Sequence, residues 1–153
     1  MIKTEAFGEF KQALTRLRDD DPDKALVHVH RAVELEGHNP FYLSYFGMLQ
    51  ARVERKWAEA QQLCETAVRM RRDEPQLYLN LAEVYAAAGR REDAVETLNR
   101  GIKNARRDRR LHSALNKLVI RRPLVLSFLP RHHFLNRNLG KLRHRALNYF
   151  GTA

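Results

Sequence analysis

Residues 60–67 read Ala60-Gln61-Gln62-Leu63-Cys64-Glu65-Thr66-Ala67. Two alanines flank a larger Cys64 at offsets of four and three, which puts the trio on one face of a helix. The same spacing recurs 35 residues earlier as Ala25, Val29 and Ala32, and 34 residues later as Ala94, Leu98 and Gly101. Small residues on either side of a larger one let a neighbouring helix approach closely at the same place in every copy. A period in the mid-thirties carried on helices means stacked helical hairpins rather than one globular core. The expected fold class is all-α.

The flanking sequence supplies the partner helices. A first helix is expected from about Thr4 to Arg18, with Phe7, Phe10, Ala13, Leu14 and Leu17 on one face. Asp21 can cap the next helix, Pro22 suits its first position, and the acids of 19–21 favour the positive end of its dipole. Gly37 closes that helix. Asn39–Pro40 opens the second copy in the same way, through Leu43, Phe46 and Gly47 to a basic corner at Arg55–Lys56. This copy has one extra residue near Glu54. The third copy starts at Asp73–Glu74–Pro75, runs through Tyr78, Leu81, Ala82 and Tyr85, and breaks at Gly89. Asp108 can cap one further helix with Leu111, Leu115, Leu118 and Val119 inward, stopped by Arg121, Arg122 and Pro123.

These copies resemble tetratricopeptide repeats, whose pattern is W-x2-L-G-x2-Y, then A-x3-F, then proline. The second copy offers Leu43-x2-Phe46-Gly47-x2-Gln50 and Ala60-x3-Cys64; the third, Tyr78-x2-Leu81-Ala82-x2-Tyr85 and Ala94-x3-Leu98. The first is looser, with Phe10-x2-Ala13-Leu14-x2-Leu17 and Ala25-x3-Val29, and His112-x2-Leu115-Asn116-x2-Val119 resembles a fourth first helix acting as a cap. Pro40 and Pro75 stand three residues beyond the family position, which Gly37, Arg72 and Arg106 occupy. The resemblance implies a right-handed superhelical solenoid of antiparallel helical hairpins over residues 4–122. Its repeats span about 4–38, 39–73 and 74–107, with a capping helix at 108–122.

The resemblance also implies that first-helix residues line a concave groove. By spacing, the partner-binding lining includes Lys11, Phe41, Tyr45, Met48, Arg52, Leu79, Asn80 and Glu83. The mixture of aromatic, sulphur and polar groups suits an extended or helical apolar segment of a partner protein; the alternative is that Phe41 and Tyr45 pack against neighbouring helices. Some family members grip a peptide carboxylate with a Lys/Asn/Arg clamp. Only Lys11 and Asn80 sit at clamp-like positions, and Thr15 and Met48 stand where asparagine would be wanted, so a carboxylate clamp is not expected.

The net charge of +10 is uneven. Residues 1–108 hold 18 Lys/Arg and 18 Asp/Glu, whereas 109–153 hold 10 Lys/Arg and no acid. Residues 123–153 form a basic tail. Leu124–Leu129 is apolar but too short to span a membrane. Leu135, Leu139, Leu142, Ala146 and Tyr149 mark an amphipathic helix at about 134–149, and the tail's basic residues are Arg131, Arg137, Lys141, Arg143 and Arg145. Three readings compete for it: packing on the solenoid, binding an anionic membrane surface, or binding nucleic acid. Leu124–Leu129 could also occupy the groove of its own chain or of a neighbour, giving autoinhibition or a swapped homodimer.

Chemistry finds little footing. Cys64 sits at a packing position, which makes a buried thiol rather than a nucleophile. His28 and His30 point to different helix faces, and His132–His133 has no acidic ligand near, so no metal is expected. No phosphate loop or nucleophile elbow is present in the sequence. The expectation is a non-enzymatic cytoplasmic protein without cofactor or small-molecule substrate.

Overall fold

The computed structural model describes residues 2–105 and 108–119. Among these, seven α-helices and one π-helical turn follow in order: α1 Ile2–Arg18, α2 Pro22–Leu35, α3 Pro40–Leu49, the π turn Gln50–Glu54, α4 Trp57–Met70, α5 Pro75–Ala87, α6 Arg91–Asn104 and α7 Arg109–Val119. The expected amphipathic helix at 134–149, the apolar stretch 124–129 and the basic residues Arg131, Arg137, Lys141, Arg143 and Arg145 lie outside the described residues.

The capping chemistry sets the element starts. The Asp21 carboxylate accepts from the Lys24 backbone N–H at 3.3 Å, with Pro22 in the first turn of α2. Asn39 accepts from Phe41 N–H at 3.1 Å before Pro40. Asp108 accepts from Arg110 N–H at 2.8 Å. Each bond satisfies a donor that has no partner within its helix. Glu74, which precedes Pro75, makes no side-chain capping bond, so proline alone marks that start. At the other end of α5, Gly89 takes φ +78°. Its N–H reaches the Ala86 carbonyl and the Arg90 N–H reaches Tyr85, at 3.1 and 2.8 Å, in the pattern of a Schellman motif.

The extra residue of the second copy has a specific home. It is absorbed as the π turn over Gln50–Glu54, where backbone bonding slips by one residue. The chain then leaves through Arg55 at φ 57°, a left-handed conformation unusual for a residue with a side chain. The corner that leads to Trp57 is therefore strained and sharp rather than a plain loop.

Consecutive helices pair as hairpins, α1 with α2, α3 with α4 and α5 with α6. The ladder of small residues is the seam. Ala25, Val29, Ala32, Ala60, Cys64, Ala67, Ala94 and Leu98 are all 0% exposed. Gly47 of α3 faces this seam: a Cβ there would lie 2.7 Å from the Ala60 carbonyl oxygen and 2.9 Å from Cys64 Sγ. Gly101 allows the same close approach in the next copy, where a Cβ would meet Tyr78 at 2.9 Å and Leu111 at 3.1 Å. Leu111, fully buried, brings α7 onto α6 and closes the described end.

Between hairpins the odd-numbered helices come together. α5 packs on both α3 and α7, and among the described residues no pair of even-numbered helices approaches to the same extent. α1 reaches α3 through Phe10, whose ring lies 4.8 Å from Tyr42 and 5.3 Å from Tyr45. Closer approach on one side curves the array toward that side. The odd-numbered helices thus form the inner wall of an all-α solenoid.

Candidate functional site: the inner wall

The inner wall is held by a hydrogen-bond chain that links α7, α5, α3 and α4. Arg110 Nη1 of α7 donates to Gln76 Oε1 at 2.8 Å, and Gln76 Nε2 donates to Asn80 Oδ1 at 2.8 Å. Asn80 Nδ2 donates to Ser44 Oγ of α3 at 3.0 Å, and the Cys64 thiol of α4 donates to the Ser44 carbonyl at 3.3 Å. Ser44 and Asn80 are 0% and 2% exposed, so the middle of the chain is a satisfied buried network. Burial pushes the Cys64 thiol up to about 12, which keeps it neutral and unreactive.

Around this chain the expected groove residues divide. Lys11, Arg52 and Glu83 are exposed; Phe41, Tyr45 and Leu79 are half-buried. Met48 is only 5% exposed and belongs to the core, while Asn80 serves the network just described. Repeat spacing puts both in the lining because it assigns a helix face. It does not tell how closely the next helix covers that face. Phe41 carries the Arg71 guanidinium 5.6 Å over its ring. Tyr45 meets Phe10 edge-on, so the reading that the aromatics pack on neighbouring helices is partly met.

The charges on this wall are ordered. Burial raises the Tyr45 hydroxyl, and Arg110, Glu83 and Glu74 act on it through space. The Glu83 side chain meets solvent, yet the concave wall around it removes enough water to raise its carboxyl, with Arg52 opposing. Arg52 pairs with Asp20 at 3.3 Å and Arg110 with Asp108 at 2.7 Å. Hydrogen bonding to Arg110 holds the Asp108 carboxyl below its ordinary value. Glu74 and Arg110 are additions to the expected site. Arg110 is legible in the register, since it stands two residues before His112 as Gln76 does before Tyr78 and Phe41 before Leu43.

The outer side is different. A cleft of about 580 Å³ opens between the α2–α3 turn and the α3–α4 hairpin, lined by Leu43, Phe46, Leu63, Met70, His38 and Gln50 among others. It shares no residue with the expected groove lining, and a groove for an extended segment is an open surface rather than an enclosed cavity. His28 and His30 have separate roles: His28 Nδ1 lies 2.8 Å from a Glu9 carboxylate oxygen, and His30 stacks on Phe46 at 5.1 Å. Among the described residues no cluster of three or more His, Cys, Asp or Glu could hold a metal ion.

Residues 53–118, from the end of the π turn through most of α7, match the profile of the tetratricopeptide repeat family. Over these residues the chain carries tetratricopeptide repeats. Solved arrays of this family superpose well. The first repeat domain of Spaghetti, bound to an HSP90 peptide SRMEEVD, is 17% identical with a TM-score of 0.62 over 76% of this chain and 94% of that one. The second repeat domain of human RPAP3, in complex with an HSP70 peptide, is 13% identical with a TM-score of 0.64 over 79% and 100%. An O-GlcNAc transferase mutant of Thermobaculum terrenum is 18% identical with a TM-score of 0.68 over 94% of this chain. The chain spans only 26% of that enzyme. No curated protein sequence matches it. At these identities the likeness is one of fold.

Proposed function

We propose that the chain is a non-catalytic scaffold that holds a segment of a partner protein along its inner wall. The observation that carries this is the division of the odd-numbered helices. Their core positions are filled, yet Lys11, Tyr45, Leu79 and Glu83 on them, and Arg52 in the π turn that follows α3, remain at least partly open. Family members with the same fold are solved with HSP90 and HSP70 peptides bound, which supports a peptide as the occupant. The array would occupy residues 4–122, with 123–153 as an appended basic tail, in a cytoplasmic setting. Among the described residues no helix is long and apolar enough to cross a membrane.

The test replaces exposed groove residues only. Lys11→Ala, Arg52→Ala and Glu83→Ala together should leave the melting temperature close to the parent value, because exposed substitutions cost about 0.5 kcal/mol or less each. The same triple variant should lose its partner in affinity purification from the native cell. Full retention of the partner would contradict the reading. Met48 is unsuitable for this purpose: truncating it to alanine opens the core and costs about 2–5 kcal/mol.

A second reading rests on the charge distribution. All of the excess positive charge lies beyond Asp108, which favours an anionic surface, lipid or nucleic acid, as a contact of the tail. Binding to duplex DNA or anionic vesicles should then fall steeply with salt and disappear when the chain ends at Arg122. Equal binding by both chains removes this reading.

A further inference from the structure

The second and third repeats build their outer sides from matching positions and finish them differently. In the third, Tyr78 is 1% exposed and packs against Gly101. Its hydroxyl donates to the Arg72 carbonyl at 3.0 Å and accepts from Asn104 Nδ2 at 3.4 Å. In the second repeat Leu43 stands where Tyr78 does, and Gly37 and Met70 stand where Arg72 and Asn104 do. All three line the outer cleft of about 580 Å³. A leucine stops short of the space that a tyrosine ring and its hydroxyl would fill. Among the described residues no hydrogen bond reaches the Gly37 carbonyl, and Met70, 44% exposed, leaves the mouth open.

The other end of the cleft shows the same contrast. Tyr85 gives its hydroxyl to Glu65 at 2.7 Å. Its counterpart Gln50 lines the cleft, and the Gln50 Oε1 atom is buried without a hydrogen-bond partner among the described residues. A buried acceptor left unpaired is costly, and the last torsion of a glutamine side chain is soft, so a donor brought into the cleft can take up that oxygen. At the rim Glu59 has no ion pair among the described residues, whereas its counterpart Asp93 is held by Arg90 at 2.8 Å. Lys56, in the place of Arg90, turns to Glu54 at 2.9 Å and acts on Glu59 only through space.

We propose that the outer cleft of the second repeat takes a tyrosine side chain from a segment of a partner protein, with the ring against Leu43, Phe46, Leu63 and Met70 and the hydroxyl donating to the Gly37 carbonyl. Tyr78 fills the matching place in the third repeat from within. A peptide fits better than a free phenol, because its backbone N–H groups supply the donor that Gln50 lacks. A basic residue beside the tyrosine complements Glu59. This segment is separate from the one on the inner wall, and the inference does not rest on that reading.

The probe is a library of random dodecapeptides displayed on phage and panned on the full-length protein. Soluble Leu43→Tyr variant is present in excess to remove peptides bound anywhere else. That substitution fills the cleft as Tyr78 does in the third repeat and should melt no lower than the parent. If it does melt lower, Met70→Trp, a change at an exposed position that closes the mouth, serves as the competitor. Surviving peptides should share one tyrosine. Phenylalanine in its place should weaken binding about fivefold, the loss of one net hydrogen bond, and alanine should abolish it. Glu59→Gln should weaken only the peptides whose tyrosine neighbours Lys or Arg. No survivors, survivors without a shared tyrosine, or equal binding of the phenylalanine peptides overturns the inference. N-acetyltyrosinamide binding as tightly as the peptides overturns the segment as occupant. Each of these failures leaves the inner wall untouched, since panning without the competitor still recovers the peptides that bind there.

Discussion

At the scale of single residues, Gly47 and Cys64 carry the most direct tests of the packing. A glycine inside a helix ordinarily costs about 1 kcal/mol relative to alanine, so Gly47→Ala would stabilise a free helix. Here the new Cβ would sit 2.7 Å from a backbone oxygen of α4, and backbone cannot swing aside. The expected result is a loss of about 1–3 kcal/mol, read as a lower denaturant midpoint; a higher midpoint would show that α3 and α4 are not so close. Cys64, raised to about 12 by burial, makes a pH prediction whose sign follows from linkage. A thiol in the unfolded chain titrates at about 8.5. Folding therefore keeps the full benefit of the neutral thiol below that pH and loses it as pH rises from about 8.5 toward 12. Cys64→Ala should flatten this alkaline decline relative to the parent chain. Thiol reagents should label Cys64 only as fast as the protein opens, and rapid labelling of the native state would refute its burial.

At the scale of elements, the π turn and its exit are the features that repeat spacing foreshadows least. The 35-residue step from the first ladder to the second announces one residue too many. It does not say whether that residue loops out or is taken up in the helix, because both leave the ladder in register. The structure takes it up at Gln50–Glu54 and concentrates the strain at Arg55, in the left-handed region. Arg55→Gly should relieve about 1 kcal/mol of that strain and raise the melting temperature by a few degrees; no rise would mean that the Arg55 side chain offsets it. Helix starts are far more legible. Asp21–Pro22 and Asn39–Pro40 combine a side-chain acceptor with a preset φ, and both form the expected caps. α5 starts at Pro75 with no side-chain capping bond from Glu74.

At the scale of the whole molecule, the fold is legible because it is periodic: one spacing read on Ala60, Cys64 and Ala67 repeats on both sides. The site is less legible because it depends on distances between helices that no spacing encodes. Register places Tyr45 and Glu83 on the inner side, but Met48 and Asn80 share that register and are buried, Asn80 against Ser44. Arg110 joins the wall through a hydrogen-bond chain that only the folded arrangement reveals. The central claim is that partner recognition occurs on this wall. It is tested most directly by photo-crosslinking in the native cell from residues placed on the two sides of the array. Photoreactive side chains at Leu79 and Glu83 should capture one and the same partner segment, while those at the outward positions Val27 and Met70 should not. Capture of that segment from Val27 or Met70, and not from Leu79 or Glu83, would contradict the account.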